Sequence, residues 1–182
     1  MPQAYNHTGS DSDIIRGCIA GDSRMQEALY RKYSARMYAV CLRYSGSAED
    51  AKDFLQDGFV KVYRNLERFR GEGSFEGWMR RIFVRTAIEQ LRARKLPTAS
   101  LTEGHDTDDE SEWNALDGLA LEDLMRMIRS LPDGYRTVFN LYAVEGYSHR
   151  EIGEMLDISE GTSKSQFARA RKALQEMIGN RY

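Results

Sequence analysis

Apolar residues of this chain recur three and four positions apart, and only three prolines occur in 182 residues. That spacing matches one face of an α-helix, and no stretch shows the period-two alternation of a half-buried strand. The two clearest stripes are Leu29, Tyr33, Met37, Val40 and Cys41, and Ala51, Phe54, Leu55, Phe59, Val62 and Leu66. The sequence therefore predicts an all-α fold.

Serine, glycine and proline predict where these helices begin and end. A serine followed three positions later by an acidic or amide side chain resembles a capping box. Such pairs are Ser23 with Gln26, Ser47 with Asp50, and Ser148 with Glu151. We expect helices over about 10–20, 24–44, from 47 onward, 76–95 and 119–130. A further helix should have Pro132 at its first position and end at Gly146.

Charge divides the chain into two parts. No Lys or Arg occurs from Leu96 through Met125. Nine acidic residues fall in that stretch: Glu103, Asp106, Asp108, Asp109, Glu110, Glu112, Asp117, Glu122 and Asp123. We therefore predict two small helical domains, over 1–95 and 119–182, joined by an acidic linker over 96–118.

The acidic run allows three interpretations. Composition alone favours a solvated linker whose charges repel one another. A second interpretation is a segment that occupies a basic channel on a partner. A third is a two-metal carboxylate site, but no apolar residues are spaced to hold its ligands in place. We therefore predict no metal site in this run.

Other features exclude further classes of site. Cys18 and Cys41 are the only cysteines, they form no CxxC pair, and no His stands at zinc-ligand spacing. We expect both to be reduced apolar residues, and we predict neither metal nor cofactor. No apolar run approaches the roughly 20 residues of a membrane-spanning helix, and residues 1–13 lack the apolar core of a signal peptide. These features predict a cytoplasmic protein without membrane insertion.

Residues 148–174 have the spacing of a helix-turn-helix. The first helix would bury three apolar side chains, those of Ile152, Met155 and Leu156. The turn would contain Asp157 and Ile158, and Ser159 would cap the second helix. The second helix would bury Phe167, Ala170 and Leu174.

The opposite face of that second helix is basic. The DNA contacts that we predict on it are Lys164, Ser165, Ala168, Arg169, Arg171 and Lys172. The first turns of such a helix reach base edges in the major groove, whereas later Arg and Lys side chains bind phosphates. A formal net charge of −2 is compatible with this, because a local patch makes the phosphate contacts. An amphipathic helix with a solvated charged face is the alternative.

Two blocks of the chain resemble the extracytoplasmic-function sigma factors of bacterial RNA polymerase. Region two of that family is similar to residues 48–95, AEDAKDFLQDGFVKVYRNLERFRGEGSFEGWMRRIFVRTAIEQLRARK. Region four is similar to residues 145–174, EGYSHREIGEMLDISEGTSKSQFARARKAL. The resemblance implies a transcription initiation factor, not an enzyme. It implies binding to core RNA polymerase (the largest-subunit clamp helices and the flap) and to promoter DNA, and control by an anti-sigma factor.

The resemblance also implies a polymerase-binding helix. Its polar contacts would be Asp50, Asp53, Gln56 and Asp57, and its apolar support Phe59, Val60 and Tyr63. A core helix with an acidic outer face is the simpler interpretation of the same residues. Both interpretations can hold, because they concern different faces of one helix.

A second implied site melts the minus-ten element and captures a flipped base. The matching residues are Arg70, Gly71, Ser74, Phe75, Trp78, Arg81, Arg85 and Thr86. Further basic residues for the displaced strand are Arg80, Arg92, Arg94 and Lys95. The helical spacing of Trp78 with Ile82 favours a core role for Trp78 over a stacking platform.

The chain departs from the family pattern at two positions. Arg85 stands where many members carry Asn, so the resemblance does not imply which base is captured. Ser163 stands where an apolar residue is commoner, which predicts a slightly different seat for the recognition helix. In the family the linker runs through the active-site channel of the polymerase, which favours the second interpretation of the acidic run. An autonomous helix-turn-helix regulator is the alternative function, and a carboxylate-metal nuclease is a more distant one.

Overall fold

A computed structural model describes residues 10–93 and 121–179 of the chain. Within those two ranges the secondary structure is helical and contains no strand, which confirms the predicted all-α fold. The predicted linker, 96–118, lies outside the described residues, as do Arg94 and Lys95.

Four helices precede the gap and four follow it in the described part of the chain. The first four are α1 (Asp11–Ile19), α2 (Ser23–Tyr44), α3 (Ala48–Asn65) and α4 (Phe75–Ala93). A 3₁₀ turn, Leu66–Arg68, follows α3. The others are α5 (Leu121–Ser130), α6 (Asp133–Phe139), α7 (His149–Leu156) and α8 (Glu160–Gly179), with a π-helical turn at Asn140–Val144.

The described helices form two compact units. Among the described residues, the first combines 10–41 with 49–86, and the second combines 42–48 with 87–93 and 121–179. This division differs from the one predicted at residue 95, because it assigns the last turns of α2 and α4 to the second unit. The domain bounds drawn from the sequence thus remain a proposal.

Both predicted apolar stripes lie in the interior. Every residue of the α2 stripe and of the α3 stripe is buried. Gly58 on α3 allows close packing, because a Cβ at that position would lie 2.2 Å from Cε1 of Phe83 on α4. Phe83 in turn meets Phe59 edge to face, with ring centroids 5.2 Å apart. The period of the sequence therefore predicted the faces that these helices bury.

The helix starts agree with the sequence at some positions and differ at others. Ser148 forms a full capping box with Glu151, as predicted, and Ser10 caps α1. The prediction that Ser23 caps α2 is wrong, because the Asp22 carboxylate accepts from the Arg24 N–H at 2.8 Å. Aspartate, like serine, is a preferred capping residue, because its side chain accepts a first-turn N–H that has no partner within the helix. The cap of α2 therefore lies one residue before the predicted Ser23.

Pro132 also lies one position earlier than predicted. It occupies the N-cap of α6, and Asp133 is the first helical residue. Its carbonyl accepts from the Arg136 N–H at 2.9 Å, so the proline still begins the first hydrogen-bonded turn. The helix continues into the π-helical turn and ends before Gly146, whose φ of +78° stops it.

The second unit has its own apolar core. Its buried members are Met127, Ile128, Leu131, Phe139, Ala170, Leu174 and Ile178. These side chains come from α5, α6 and α8. The long last helix, α8, therefore packs on the two short helices α5 and α6.

The described residues also bear on the expectations about the cysteines, a metal site and a membrane-spanning helix. Cys18 and Cys41 are buried and unbridged, and burial raises the pKa of the Cys18 thiol. Within 10–93 and 121–179, no cluster of His, Cys, Asp or Glu is arranged to hold a metal ion. None of the helices described is long and apolar enough to cross a membrane.

The contact between Gly58 and Phe83 generates a stability prediction. Gly58→Ala should lower the free energy of unfolding by roughly 1–3 kcal/mol. The strain of an extra methyl group in the packed interior should exceed the stability gained from the higher helix propensity of alanine. Urea unfolding followed by circular dichroism measures this change. Gly161→Ala is the matched control, since the nearest atom to its new methyl is Ser159 Oγ at 3.8 Å. Equal effects of the two substitutions would contradict the contact.

Candidate polymerase and nucleic-acid interfaces

The turn between α7 and α8 has the geometry of a helix-turn-helix. Asp157 ends α7 in the left-handed conformation with φ of +59°. The Ile158 N–H donates to the Gly153 carbonyl at 3.0 Å, and a Cβ on Gly153 would lie 2.8 Å from the Ile158 carbonyl oxygen. Gly153 therefore lets the turn fold back against α7, a role that the sequence analysis did not assign.

The capping box fixes the start of α7. Glu151 Oε2 accepts from the Ser148 N–H at 2.8 Å and from the Ser148 hydroxyl at 2.7 Å. These bonds lower the pKa of the Glu151 carboxyl, which is fully exposed. Within α7 Ile152 and Leu156 are buried as predicted, whereas Met155 is half-buried.

The start of α8 is capped as predicted. The Ser159 hydroxyl accepts from the Thr162 N–H at 2.9 Å. Along the helix Ala170 and Leu174 are buried and Phe167 is half-buried, so the predicted apolar face meets the interior. The opposite face is consequently the one that α8 presents outward.

The predicted DNA contacts differ in exposure along that outer face. Lys164 and Lys172 are exposed, and Ser165, Ala168, Arg169 and Arg171 are half-buried. Lys164 Nζ pairs with Glu160 Oε1 at 3.1 Å across one turn. Within the stretch from Lys164 to Lys172 every charged side chain is basic.

Ser163 occupies the joint between α7 and α8. Its side chain is completely buried, and its hydroxyl lies 2.9 Å from His149 Nδ1. The His149 ring stacks on Tyr142, with centroids 4.3 Å apart and planes inclined by 10°. Ser163 departs from the family pattern, but no local pattern in the sequence links it to His149, because the two residues are 14 positions apart.

Three of the predicted polymerase contacts are solvent-exposed on the outer face of α3. Asp53, Gln56 and Val60 are exposed, the last with 40% of its surface accessible. Their spacing of three and four places them on one stripe. Asp50 and Asp57 are half-buried beside it.

Aromatic side chains support this face from beneath. Phe59 is buried, and its ring centroid lies 4.7 Å from that of Tyr30 on α2, which is itself exposed. Tyr63 is half-buried and donates to the Gln26 carbonyl at 2.8 Å. Burial raises the pKa of Tyr63 to about 12, so it remains a neutral donor at physiological pH. Tyr30 was missed because it does not belong to the apolar stripe of α2.

The loop between α3 and α4 rests on an aromatic cluster. Phe75 is 4% exposed, and its ring centroid lies 5.1 Å from Phe69 and 5.6 Å from Trp78. Gly71 and Gly73 have φ of +76° and +81°, values that favour glycine. Trp78 is half-buried within the cluster.

The predicted site residues of α4 include both exposed and buried side chains. Arg81 and Arg85 are exposed one turn apart and form a basic edge. Thr86 is completely buried, and its hydroxyl donates to the Ile82 carbonyl at 2.9 Å. Thr86 therefore supports the surface from the interior, whereas Phe75 is 4% exposed and lines a cleft beside the loop 69–76.

A cleft of about 690 Å³ opens beside this loop, lined by α1, α2 and residues 69–76. Asp11 lies within it and accepts from Lys32 Nζ at 2.7 Å and from the Tyr33 hydroxyl at 2.6 Å. These side chains were not among the predicted sites, since Asp11 is 21 positions from Lys32 and no local pattern links them.

Comparisons with known proteins agree with this geometry. The family model of sigma-70 region 2 matches residues 29–96, and that of sigma-70 region 4 matches residues 121–174. The chain is 30% identical over 174 residues to the ECF RNA polymerase sigma factor SigM of Mycobacterium tuberculosis, covering 95% of this chain and 87% of that one. It is 30% identical over 181 residues to the ECF RNA polymerase sigma-E factor of Haemophilus influenzae, covering 93% and 95%.

Among solved structures, the fold is similar to the sigma factor RpoE of Bartonella quintana, which was crystallised with the anti-sigma factor NepR. The TM-score is 0.50 at 22% identity, over 84% of this chain and 96% of that one. This similarity concerns the fold alone.

A helical protein with both promoter-recognition regions in one chain is a transcription initiation factor rather than an enzyme. The chain belongs to the extracytoplasmic-function family of RNA polymerase sigma factors. The family resemblance found in the sequence is thereby confirmed, and with it the function of binding core RNA polymerase and directing promoter-specific initiation.

The joint between α7 and α8 generates a second prediction. Ser163→Ala should lower the free energy of unfolding by about 1 kcal/mol, because a buried hydroxyl loses its hydrogen bond to His149. His149→Phe keeps an aromatic ring beside Tyr142, so a double-mutant cycle isolates the hydrogen bond. We expect a coupling energy of about 0.5–1.5 kcal/mol in urea unfolding. Strict additivity of the two substitutions would show that the bond adds no stability.

Proposed function

We propose a division of labour among three surfaces of this sigma factor. The outer face of α3 docks on core polymerase, the loop 69–76 with α4 opens the minus-ten element, and α8 reads the upstream element. Region two would extend over 1–95 and region four over 119–182, with 96–118 as the linker. The order of the two family matches along one chain is the observation that carries this proposal.

The exposed stripe on α3 supports a docking role. Asp53, Gln56 and Val60 combine an acid, an amide and an apolar side chain on one outward face. Val60 and Tyr30 are exposed, with 40% and 44% of their surface accessible, so apolar side chains of α3 and α2 are available to pack against a partner. A polymerase surface with basic and apolar groups would complement this stripe, and its acids would speed the encounter.

The sign of the charge on α8 supports DNA reading. Its outward face carries only basic charge from Lys164 to Lys172, whereas solvated faces usually mix signs. Ser159 caps the start of α8. The first turns of a recognition helix are the part that contacts base edges in the major groove. Arg169 would then meet bases, and Lys172, farther along, would meet a phosphate.

Exposed basic side chains support the minus-ten role of the first unit. Arg70 is exposed beside Gly71 of the loop, and Arg81 and Arg85 are exposed on α4, the helix that follows the loop. A basic groove with aromatic side chains is the usual surface for a single strand of nucleic acid. The aromatic cluster of Phe69 and Trp78 supplies the stacking surface.

We infer that the protein acts in the cytoplasm and is held by an anti-sigma factor until released. A sigma factor of similar fold is named in complex with an anti-sigma factor. Both functional faces of this chain are outward, and an acidic, polar linker separates them in sequence, so one partner could cover both.

The third prediction separates this function from that of an autonomous regulator. The chain alone should bind promoter duplex weakly, because its net charge is −2, and core polymerase should confer specific binding. Asp53→Lys combined with Val60→Glu should abolish most of that gain, since both changes fall on the α3 stripe. Gel shifts with and without core polymerase measure both effects.

Glu27→Lys is the control, because it reverses an acidic charge in the same unit at an exposed position of α2. Specific binding of duplex by the chain alone at physiological salt would favour the autonomous regulator. Unchanged polymerase binding by the α3 variant would move the docking surface elsewhere.

The fourth prediction distinguishes base reading from phosphate contact on α8. Arg169→Ala should cost roughly 1–3 kcal/mol on the preferred upstream element and relax preference at one or two base pairs. Lys172→Ala should weaken binding about equally on all sequences and lower the salt slope by about one. Open-complex formation by holoenzyme on a randomised upstream element measures both, and each variant serves as the control for the other. The reverse assignment of effects would mean that the groove-facing side of α8 is rotated.

A further inference from the structure

The last turn of α2, which belongs to the second unit, is held there by polar side chains. Asn140 Nδ2 donates to the Arg43 carbonyl at 2.8 Å, and Arg136 Nη2 donates to the Tyr44 carbonyl at 3.3 Å. Arg43 Nη2 pairs with Glu145 Oε1 at 3.4 Å, and these side chains are 16% and 8% exposed. The last carbonyls of a helix have no partner within it, so α6 caps the end of α2.

The same contact contains buried polar atoms that the protein leaves without a partner. Ser45 Oγ, Arg136 Nε and Asn140 Oδ1 are buried, and none has a hydrogen bond within residues 10–93 and 121–179. The free-energy cost of one such atom can shift a conformational equilibrium roughly 5- to 150-fold toward a form in which water reaches it. The contact between α2 and α6 therefore has a defined geometry and a built-in tendency to open.

The end of α4 makes a polar contact with the turn that follows α7. Arg92 Nη1 donates to the Met155 carbonyl at 3.4 Å, and Arg92 Nη2 lies 3.9 Å from Asp157 Oδ2. The family resemblance assigns Arg92 to the displaced promoter strand. Because both Nη atoms face the helix-turn-helix, a phosphate of that strand would compete with this contact.

We propose that these contacts form a latch, which holds the last turns of α2 and α4 in the free protein and releases them when the promoter opens. The inference rests on the proposed minus-ten role of α4 and adds its regulation. A ligand shifts an equilibrium toward the form that it binds better, and the displaced strand favours the form in which Arg92 is released. The held segment also leads directly into α3, the proposed docking helix, which begins at Ala48.

Ser45→Ala tests the latch with a stabilising change. It removes a buried hydroxyl that has no partner, so urea unfolding should show a higher free energy of unfolding. Because the held form becomes more stable, half-maximal open-complex formation with core polymerase should need a roughly 5- to 150-fold higher concentration of the protein. A contact with a purely structural role would bring the same gain in stability and leave promoter opening unchanged.

Glu145→Gln should act in the opposite direction. It removes a negative charge paired with Arg43 in a half-buried position, so it weakens the held form. The concentration for half-maximal opening should fall roughly 2- to 12-fold. Ser34→Ala is the matched control for Ser45→Ala, since Ser34 is half-buried on the same helix and belongs to the first unit. It should leave promoter opening unchanged.

Thiol labelling measures the release in the free protein. Ser45→Cys places a thiol at a position that is 2% exposed. The natural protein provides the background, because Cys18 and Cys41 are both buried. Adding Glu145→Gln to Ser45→Cys should raise the labelling rate by about the factor by which it promotes opening, since the reagent reaches only the released form.

Two results would overturn the latch and leave the proposed function intact. One is unchanged promoter opening by a more stable Ser45→Ala protein. The other is an unchanged stability of that variant, because the buried hydroxyl would then impose no cost. Failure of the natural holoenzyme to open any promoter would overturn both the latch and the proposed function.

Discussion

The guanidinium of Arg136 lies inside the second unit, with 2% of the residue exposed. Its Nη1 donates to the carbonyls of Arg129 at 3.1 Å and Leu131 at 3.0 Å, and Asp133 supplies the counter-charge. A helix end in the interior needs partners for its last carbonyls, and a buried charge must be paired. The tight passage from α5 to α6, on which α8 packs, therefore depends on this side chain.

The same requirement shapes the other helix ends. Ser148 and Ser159 accept from the first N–H groups of α7 and α8, and Asp157 takes the left-handed conformation that ends α7. Because a helix of eight residues is marginal by itself, α7 depends on its capped ends and on its packing. The polar contact between His149 and Ser163 then fixes α8 against α7 where an apolar contact would be expected.

Each surface helix combines a supporting face and an exposed face. On α3 the buried ring of Phe59 lies under the stripe that exposes Val60, and on α4 the buried Thr86 follows the exposed Arg85. Residues adjacent in sequence thus have opposite roles, because consecutive positions on a helix are rotated by about 100°. Sequence resemblance assigns such neighbours to one site, and burial separates those that can touch a ligand from those that hold the surface.

The sequence by itself determined the helices, their buried stripes and the single-signed face of α8, because these depend on periods of three and four residues along the chain. It misplaced the starts of α2 and α6 by one residue. Asp22, and not Ser23, accepts an N–H of the first turn of α2, and Pro132 is the N-cap of α6 and not its first helical residue. Only the tertiary structure brought Asp11 to Tyr33 and His149 to Ser163. Such pairs depend on how separate helices cross, which is decided by packing in three dimensions and leaves no periodic signal in the chain.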